Sequence, residues 1–327
     1  MKVLVTGASG FVGRRLVPRL LLEGHEAVCA LRSAKGGKGL PEGVKTVITG
    51  ELEASADLPG ALAGVDTVIH LAGRAHVMHD KAQNPATEYY RVNVEASRVL
   101  GERAVEAGVK RIVFASSVKA MGERTLEIPY TETSVCAPED DYGKTKLEAE
   151  NVLKGICARG GVELVILRFP LVYGPGVKGN MAALVKAARK GIPLPLGAAT
   201  NLRSLIFVDN LVDAIIACSK NPSAASGIFL VSDGEDISTS RLYRLIGEAM
   251  DKRLRIPAVP LGLMKTLGQA GDMAGALMGR KMPITSGAVE KLFGSLRVDS
   301  SKIRVALGWT PPYSVEEGMR AMVEGSR

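Results

Sequence analysis

The 327-residue chain is poor in aromatic side chains, 4% in all with a single tryptophan. That scarcity argues against the stacking platforms on which single-stranded nucleic acids are held. Cysteines number four, Cys29, Cys136, Cys157 and Cys218. They form no C-x-x-C pair and no metal-like spacing, so they read as reduced, mostly buried thiols and no metal site is expected. No run of about 18 apolar residues exists, which speaks against a membrane span. The first apolar strand starts at Lys2 and leaves no room for a signal peptide, so a cytoplasmic location is expected. Acidic residues are the minority sign, 34 against 42 Lys and Arg, for a formal charge of +8. The cations are scattered, and a small anionic ligand explains them as well as nucleic acid does.

What is present is an ordinary globular composition, 46% hydrophobic and 23% charged, with length for one large or two fused domains. Lys2–Thr6 is a short apolar run that ends in Gly7-Ala8-Ser9-Gly10-Phe11-Val12-Gly13, and a helical pattern with Leu16, Leu20 and Leu21 follows. Strand, glycine turn and helix are the context that a dinucleotide-binding motif requires. Gly7 permits the tight turn, Gly10 lets backbone approach a pyrophosphate, and Gly13 lets the helix pack on the strand. The helix N-terminus then offers free N–H groups to the phosphates. The spacing is G-x-x-G-x-x-G rather than G-x-G-x-x-G.

A second strand, His25 to Leu31, ends at Arg32, where an NAD site would place an acid for the ribose 2′-hydroxyl. Arg32, Lys35 and Lys38 stand there instead, which suits a 2′-phosphate and hence NADP; a solvated basic loop is the plain alternative. Glu51-Leu52 follows a third strand (Val44 to Thr49) at a place where adenine could be met. The fourth strand, from Thr67, opens through Leu71, Ala72 and Gly73 into a turn of small residues, suited to close passage of backbone by a ligand. His76 and His79 beyond it have no third partner for a metal. Residues 86–107 read as a long helix carrying Asn93, a polar side chain that on such a helix usually faces water. A fifth strand (Arg111 to Ala115) ends in Ser116-Ser117, at the sheet edge where open α/β folds place their ligands.

Tyr142 and Lys146 lie four residues apart at the start of a helix expected to run to about residue 158, so their side chains share one face. An ammonium beside a phenol favours the phenolate and makes the tyrosine a usable general acid/base. After a sixth strand (Glu163 to Phe169), a helix from about Asn180 to Lys190 and a strand from Arg203 to Val208, the β/α alternation weakens beyond about residue 232. Met264, Met273, Met278 and Met282, among apolar neighbours there, read as core or lid packing, with a partner-binding surface the lesser alternative.

Together these motifs resemble the extended short-chain dehydrogenases/reductases, in particular the nucleotide-sugar epimerase, dehydratase and ketoreductase group. The resemblance covers nearly the whole chain: TGASGFVG at the N-terminus, HLAG at 70–73, Asn93, SS at 116–117 before Gly122, YGKTK at 142–146, LRFPLVYGPG at 167–176, LIFVDN at 205–210 and LGW at 307–309. It implies a Rossmann-type doubly wound parallel sheet with a smaller, mainly helical C-terminal substrate domain. The dinucleotide-binding part is expected in residues 1–168 plus about 205–232, the substrate part in about 169–204 plus 233–327.

By position, the resemblance implies that Tyr142 is the catalytic acid/base and that Lys146 holds the nicotinamide ribose. Ser117 would hydrogen-bond the reacting sugar oxygen, Asn93 would support the architecture, and Arg203 and the helix start at Asn180 would meet the nucleotide diphosphate. Gly7, Gly10, Phe11, Val12, Gly13, Arg32, Glu51, Leu52, Leu71, Ala72, Gly73, Asn93, Tyr142 and Lys146 would line the dinucleotide. The 4,6-dehydratases of the group carry an Asp-Glu pair where this chain has Val118 and Lys119, so water elimination is not expected; Lys119 could instead bind a phosphate or a sugar carbonyl. The basic loop favours NADP (NAD being the alternative) and reduction at C4 of a UDP-4-keto-6-deoxy-hexosamine. The alternatives are a UDP-hexose 4-epimerase with tightly held NAD and a non-catalytic dinucleotide sensor. Members of the group often pair through the helices that carry the equivalents of Asn93 and Tyr142, which makes a homodimer an option that the residues leave open.

Overall fold

The computed structural model describes residues 1–52, 58–75, 84–279 and 285–326. Among the described residues, ten strands form two sheets. β1 (Lys2–Thr6), β2 (Glu26–Leu31), β3 (Lys45–Ile48), β4 (Thr67–His70), β5 (Arg111–Ala115), β6 (Glu163–Arg168) and β9 (Ile228–Leu230) make the large one, in the order β3-β2-β1-β4-β5-β6-β9, with every pair parallel. The order reverses between β1 and β4, and open α/β sheets place their ligands at the carboxyl ends of the strands at such a switch point. β7 (Leu171–Tyr173) pairs parallel with β8 (Arg203–Phe207), which pairs antiparallel with β10 (Asp236–Ile237) in the small sheet.

Parallel strands covered on both faces read as continuous apolar runs, and both faces here are covered. On one face α1 (Gly13–Leu22) and α7 (Val208–Lys220) bury Leu16, Val17, Leu20, Leu211 and Ile215 against Val3, Val5, Ile69 and Val113. On the other, α2 (Leu58–Leu62), α4 (Ala96–Glu106) and α5 (Asp141–Gly160) bury Leu62, Leu100 and Leu153 against Leu4, Val68 and Ile112. α3 (Pro85–Tyr90) runs into α4 through a π-helical turn at Arg91–Glu95. α6 (Gly179–Arg189), α8 (Thr239–Glu248) and α12 (Val315–Glu324) pack with the small sheet around Tyr173, Phe207 and Tyr243. α9 (Leu261–Met278), α10 (Ser286–Phe293) and α11 (Ser301–Leu307) complete the chain.

The segment 205–232, assigned from sequence to the nucleotide-binding part, divides at its start. β8 belongs to the small sheet, while α7 packs on the large sheet and β9 pairs with it. The LGW motif closes the C-terminal region onto α7: Gly308 takes a left-handed φ of 64° after α11, and the Trp309 indole donates to Asp213 at 2.8 Å. Two of the methionines expected in packing depart from that reading. Met264 is buried, but Met273 and Met278 face outward; Met282, like His76 and His79, lies outside the described residues.

Candidate active site

The glycine turn sits at the switch point because no side chain fits there. A Cβ on Gly7, whose φ is +72°, would stand 2.7 Å from the Ala72 backbone nitrogen, so the turns after β1 and β4 touch. A Cβ on Gly13 would fall 2.4 Å from the Gly7 carbonyl oxygen, which is how α1 closes on β1. α1 carries no side-chain cap, and the N–H groups of Phe11, Val12 and Gly13 find no acceptor among the described residues. Three free donors at a helix N-terminus form an anion cradle.

At its edge, Arg32 is 77% exposed and lies 3.6 Å from Glu51, whose other oxygen is 2.5 Å from Arg91. Lys35 and Lys38 are exposed on the short turn beyond. Leu52 is buried with a left-handed φ of 53°. That conformation costs a non-glycine residue roughly 1–2 kcal/mol, and strain of this kind concentrates at ligand sites.

Beneath the cradle a polar chain fixes the β4 turn. Thr6 Oγ1 contacts His70 Nδ1 at 2.7 Å and accepts from the Ala72 N–H at 3.2 Å; His70 Nε2 meets Ser97 Oγ at 3.0 Å. Burial, helped by the Lys146 charge, pulls the His70 pKa down to about 3, so the ring is neutral. Asn93 is buried rather than solvated. Its amide oxygen accepts from the Arg74 N–H at 2.7 Å, and its Nδ2 donates to Arg74 O at 3.1 Å and Thr145 Oγ1 at 3.0 Å. The π-helical turn rotates it inward; such turns recur at functional sites because they re-aim a side chain without breaking the helix. Asn93 thus ties the β4 loop to α5.

α5 starts where Asp140 accepts from the Gly143 N–H at 2.7 Å, and ends at Gly161 with φ +66°. Its first turn carries Tyr142 and Lys146. Gly143 permits the decisive approach: a Cβ there would be 2.3 Å from the Lys119 carbonyl oxygen. The turn after β5 therefore lies directly on α5 and brings the Ser117 hydroxyl close enough to the Tyr142 side chain to act on its pKa. Burial pushes the Tyr142 phenol up to about 12, against the Ser117 hydrogen bond that pulls it down. Burial also takes the Lys146 ammonium down to about 7, opposed by Glu150. Lys146 Nζ stands 4.1 Å over the Phe114 ring and has no hydrogen-bond partner among the described residues. A Cβ on Gly73 would be 3.8 Å from it.

Two residues with no role expected from sequence, Glu150 and Arg168, anchor this turn together with Ser116. Glu150, one turn beyond Lys146, is fully buried; it accepts from Ser116 Oγ at 2.5 Å and from Arg168 at 2.9 and 2.6 Å. It joins α5 to the ends of β5 and β6. The signal in the sequence was the Lys146–Glu150 spacing, which continues the Tyr142 face.

The remaining candidates are more scattered. Lys119 Nζ donates to Glu123 at 2.8 Å and to Asp140 at 2.7 Å. Burial works against its charge, yet the two carboxylates raise its pKa. Its ammonium is already occupied in holding the α5 cap. Arg203 Nη1 donates to the carbonyls of Lys291 and Gly294, each at 3.0 Å; it has no carboxylate partner among the described residues, and burial lowers its pKa. Asn180 is exposed in the uncapped first turn of α6. No cluster of three metal-binding side chains occurs among the described residues.

A Rossmann sheet whose switch point carries a glycine cradle, with Ser, Tyr and Lys on the adjoining strand end and helix, defines a dehydrogenase/reductase type of site. The chain belongs to the NAD dependent epimerase/dehydratase family, whose model matches residues 3–231. It is 41% identical to a UDP-glucose 4-epimerase of Vibrio cholerae over 97% of this chain and 93% of the relative. It is 30% identical to the N-acetyl-alpha-D-glucosaminyl-diphospho-ditrans,octacis-undecaprenol 4-epimerase of Escherichia coli O157:H7, over 97% and 92%. Among solved structures, the UDP-glucose 4-epimerase of Thermotoga maritima with UDP-glucose superimposes with a TM-score of 0.78 at 22% identity, covering 99% of this chain and 98% of the other. The solved structure shares the fold, and the two sequence relatives favour epimerisation over the ketoreduction that the basic loop suggested.

Proposed function

We propose that the protein is an NAD-dependent 4-epimerase of UDP-linked hexoses. The observation that carries the reading is the Ser117 hydroxyl acting on the Tyr142 phenol beside the buried Lys146 ammonium, which has no hydrogen-bond partner among the described residues. The V. cholerae relative, similar along 97% of the chain, supports it. In this reading the large sheet and its helices hold the dinucleotide, and the small sheet with α6, α8 and α10 receives the sugar nucleotide.

The residues fit the cofactor. The N–H groups of Phe11, Val12 and Gly13 would take the pyrophosphate, Glu51 and Leu52 the adenosine end, and the turn Leu71-Ala72-Gly73 would pass the nicotinamide half. Lys146 would hold the ribose hydroxyls. NAD, when bound, supplies a hydride acceptor that returns the hydride after the sugar has turned.

The protein's own work is proton transfer and positioning. Tyr142 takes the proton from the sugar O4 hydroxyl as the carbinol is oxidised and returns it when the 4-keto group is reduced on its other face. Ser117 donates to the same oxygen and fixes its distance from the phenol. Arg203, which makes no ion pair among the described residues, would take the diphosphate. Water elimination has no acid–base pair at the position after Ser117, where Val118 is apolar and Lys119 is held by Glu123 and Asp140. A second reading, NADPH-dependent reduction of a UDP-4-keto sugar, draws on the exposed Arg32, Lys35 and Lys38.

The test is to identify the dinucleotide that co-purifies and to follow UDP-glucose, UDP-galactose and their N-acetyl counterparts by proton NMR. Interconversion without added cofactor is expected, and Tyr142→Phe should lower turnover by about 10²-fold or more while dinucleotide still binds. NADPH oxidation by a UDP-4-keto-6-deoxy sugar, with no interconversion of hexoses, would replace this reading by the second.

A further inference from the structure

α9 stands out from the rest of the molecule. It packs on α10 along a narrow line of small residues: a Cβ on Gly268 would be 3.0 Å from Ser286 backbone, and Asp272 accepts from the Ser286 N–H at 3.1 Å. Met264 is buried on the same line. The adjoining face repeats Leu263, Leu267, Ala270 and Ala274 at helical spacing, and Lys265, Gln269 and Asp272 lie on the opposite flank. Leu263 is 53% exposed, Leu267 44% and Met273 69%. An apolar stripe this long on a helix that touches the body along one edge is unlike the scattered hydrophobes of an ordinary surface.

The chain on either side of it is rich in cations. Between Lys252 and Lys291 the chain carries Lys252, Arg253, Arg255, Lys265, Arg280, Lys281 and Lys291 against only Asp272 and Glu290, so most of the molecule's excess of +8 falls here. The two carboxylates are engaged, Asp272 by the Ser286 N–H and Glu290 by Arg124 at 3.2 Å. Arg253, Arg255 and Lys265 are exposed and make no ion pair among the described residues. Yet no helix among the described residues is long and apolar enough to cross a membrane.

We propose that α9 is an interfacial helix that docks the protein on an anionic lipid surface, with Leu263, Leu267 and Met273 at the acyl boundary and Arg253, Arg255 and Lys265 among the headgroups. A helix with one apolar face and a cationic surround lies in the plane of the interface, and each added cation strengthens attraction to an anionic leaflet. A second copy of the chain could cover the leucines, but the unpaired cations on two such copies would then be brought together. The proposal does not depend on the reaction assigned to the site.

The experiment is flotation of the intact protein with vesicles of phosphatidylcholine alone or with phosphatidylglycerol. Binding to the anionic vesicles alone is expected, weakening as salt rises. The pair Leu263→Gln and Leu267→Gln, both exposed, should keep the wild-type melting temperature and lower the partition coefficient by about tenfold or more. Arg253→Gln with Arg255→Gln should lower it by roughly tenfold or more as well. Wild-type protein that stays free of anionic vesicles overturns the proposal, as does undiminished binding by the leucine variant. A wild-type dimer that the leucine variant turns into a monomer, with no vesicle binding by either, assigns the stripe to a second copy instead.

Discussion

Gly143→Ala probes the contact on which the site geometry rests. The new methyl would sit 2.3 Å from the Lys119 carbonyl oxygen and 3.0 Å from its carbon, with Pro138 Cβ at 3.1 Å behind it. Ordinary contact lies near 3.4 Å, so the turn carrying Ser117 and Lys119 must retreat from α5 by about 1 Å, since neither partner is a flexible side-chain end. Overpacking of this kind costs about 1–3 kcal/mol, and alanine recovers about 1 kcal/mol of helix propensity. The net loss is therefore about 0–2 kcal/mol, a fall in Tm of no more than about 4–8 °C. Activity should suffer far more, because a 1 Å error between Ser117 and Tyr142 costs on the order of 10²-fold in turnover. The assay is kcat for interconversion of the UDP-hexose, beside a thermal melt and a dinucleotide titration. Lys144→Ala, exposed one residue on, serves as the control and should change none of the three. A Gly143→Ala enzyme with wild-type kcat would refute the contact as the device that sets Ser117 against Tyr142.

Other expectations follow from the same geometry. Glu150→Gln leaves the buried Arg168 guanidinium without its carboxylate and should destabilise the protein by about 3–5 kcal/mol, read from urea midpoints; a change below about 1 kcal/mol would remove the pair from its anchoring role. Lys146 has a folded pKa near 7 against 10.5 in its ordinary state, so between those values the unfolded chain binds more protons and stability rises with pH. Lys146→Met should therefore be more stable relative to wild type at pH 6 than at pH 10, and a difference that is flat with pH would mean the lysine is not desolvated. Glu51→Ala removes the carboxylate beside Arg32, while Arg91 keeps its pair with Glu88, and should raise NADP affinity by about tenfold relative to NAD, measured by titration; an unchanged ratio would separate Glu51 from the choice of dinucleotide.

The glycine turn, the Tyr142–Lys146 spacing and the alternation of strands and helices were legible because each is a local requirement. A backbone that must touch backbone needs Gly7 and Gly13, and two side chains on one helical face need a spacing of four. Sequence alone could therefore place β1, α1, β5 and α5 and nominate Ser117, Tyr142 and Lys146. Lys119 shows the limit. As a lone cation two residues after Ser117 it invites a ligand, but Glu123 and Asp140, 4 and 21 residues on, neutralise it in the folded chain.

What the tertiary structure decided are the matters settled by which distant residues meet. It drew Asn93 inward through a π-helical turn, because the Arg74 backbone and Thr145 supply the partners a buried amide needs. It assembled Glu150, Arg168 and Ser116 under α5, a network no local pattern announces. It put β8 into the second sheet, since an apolar run specifies burial but not the strand it will pair with. And it left one face of α9 uncovered, because the same amphipathic repeat serves a core helix or an exposed one, and only packing separates the two.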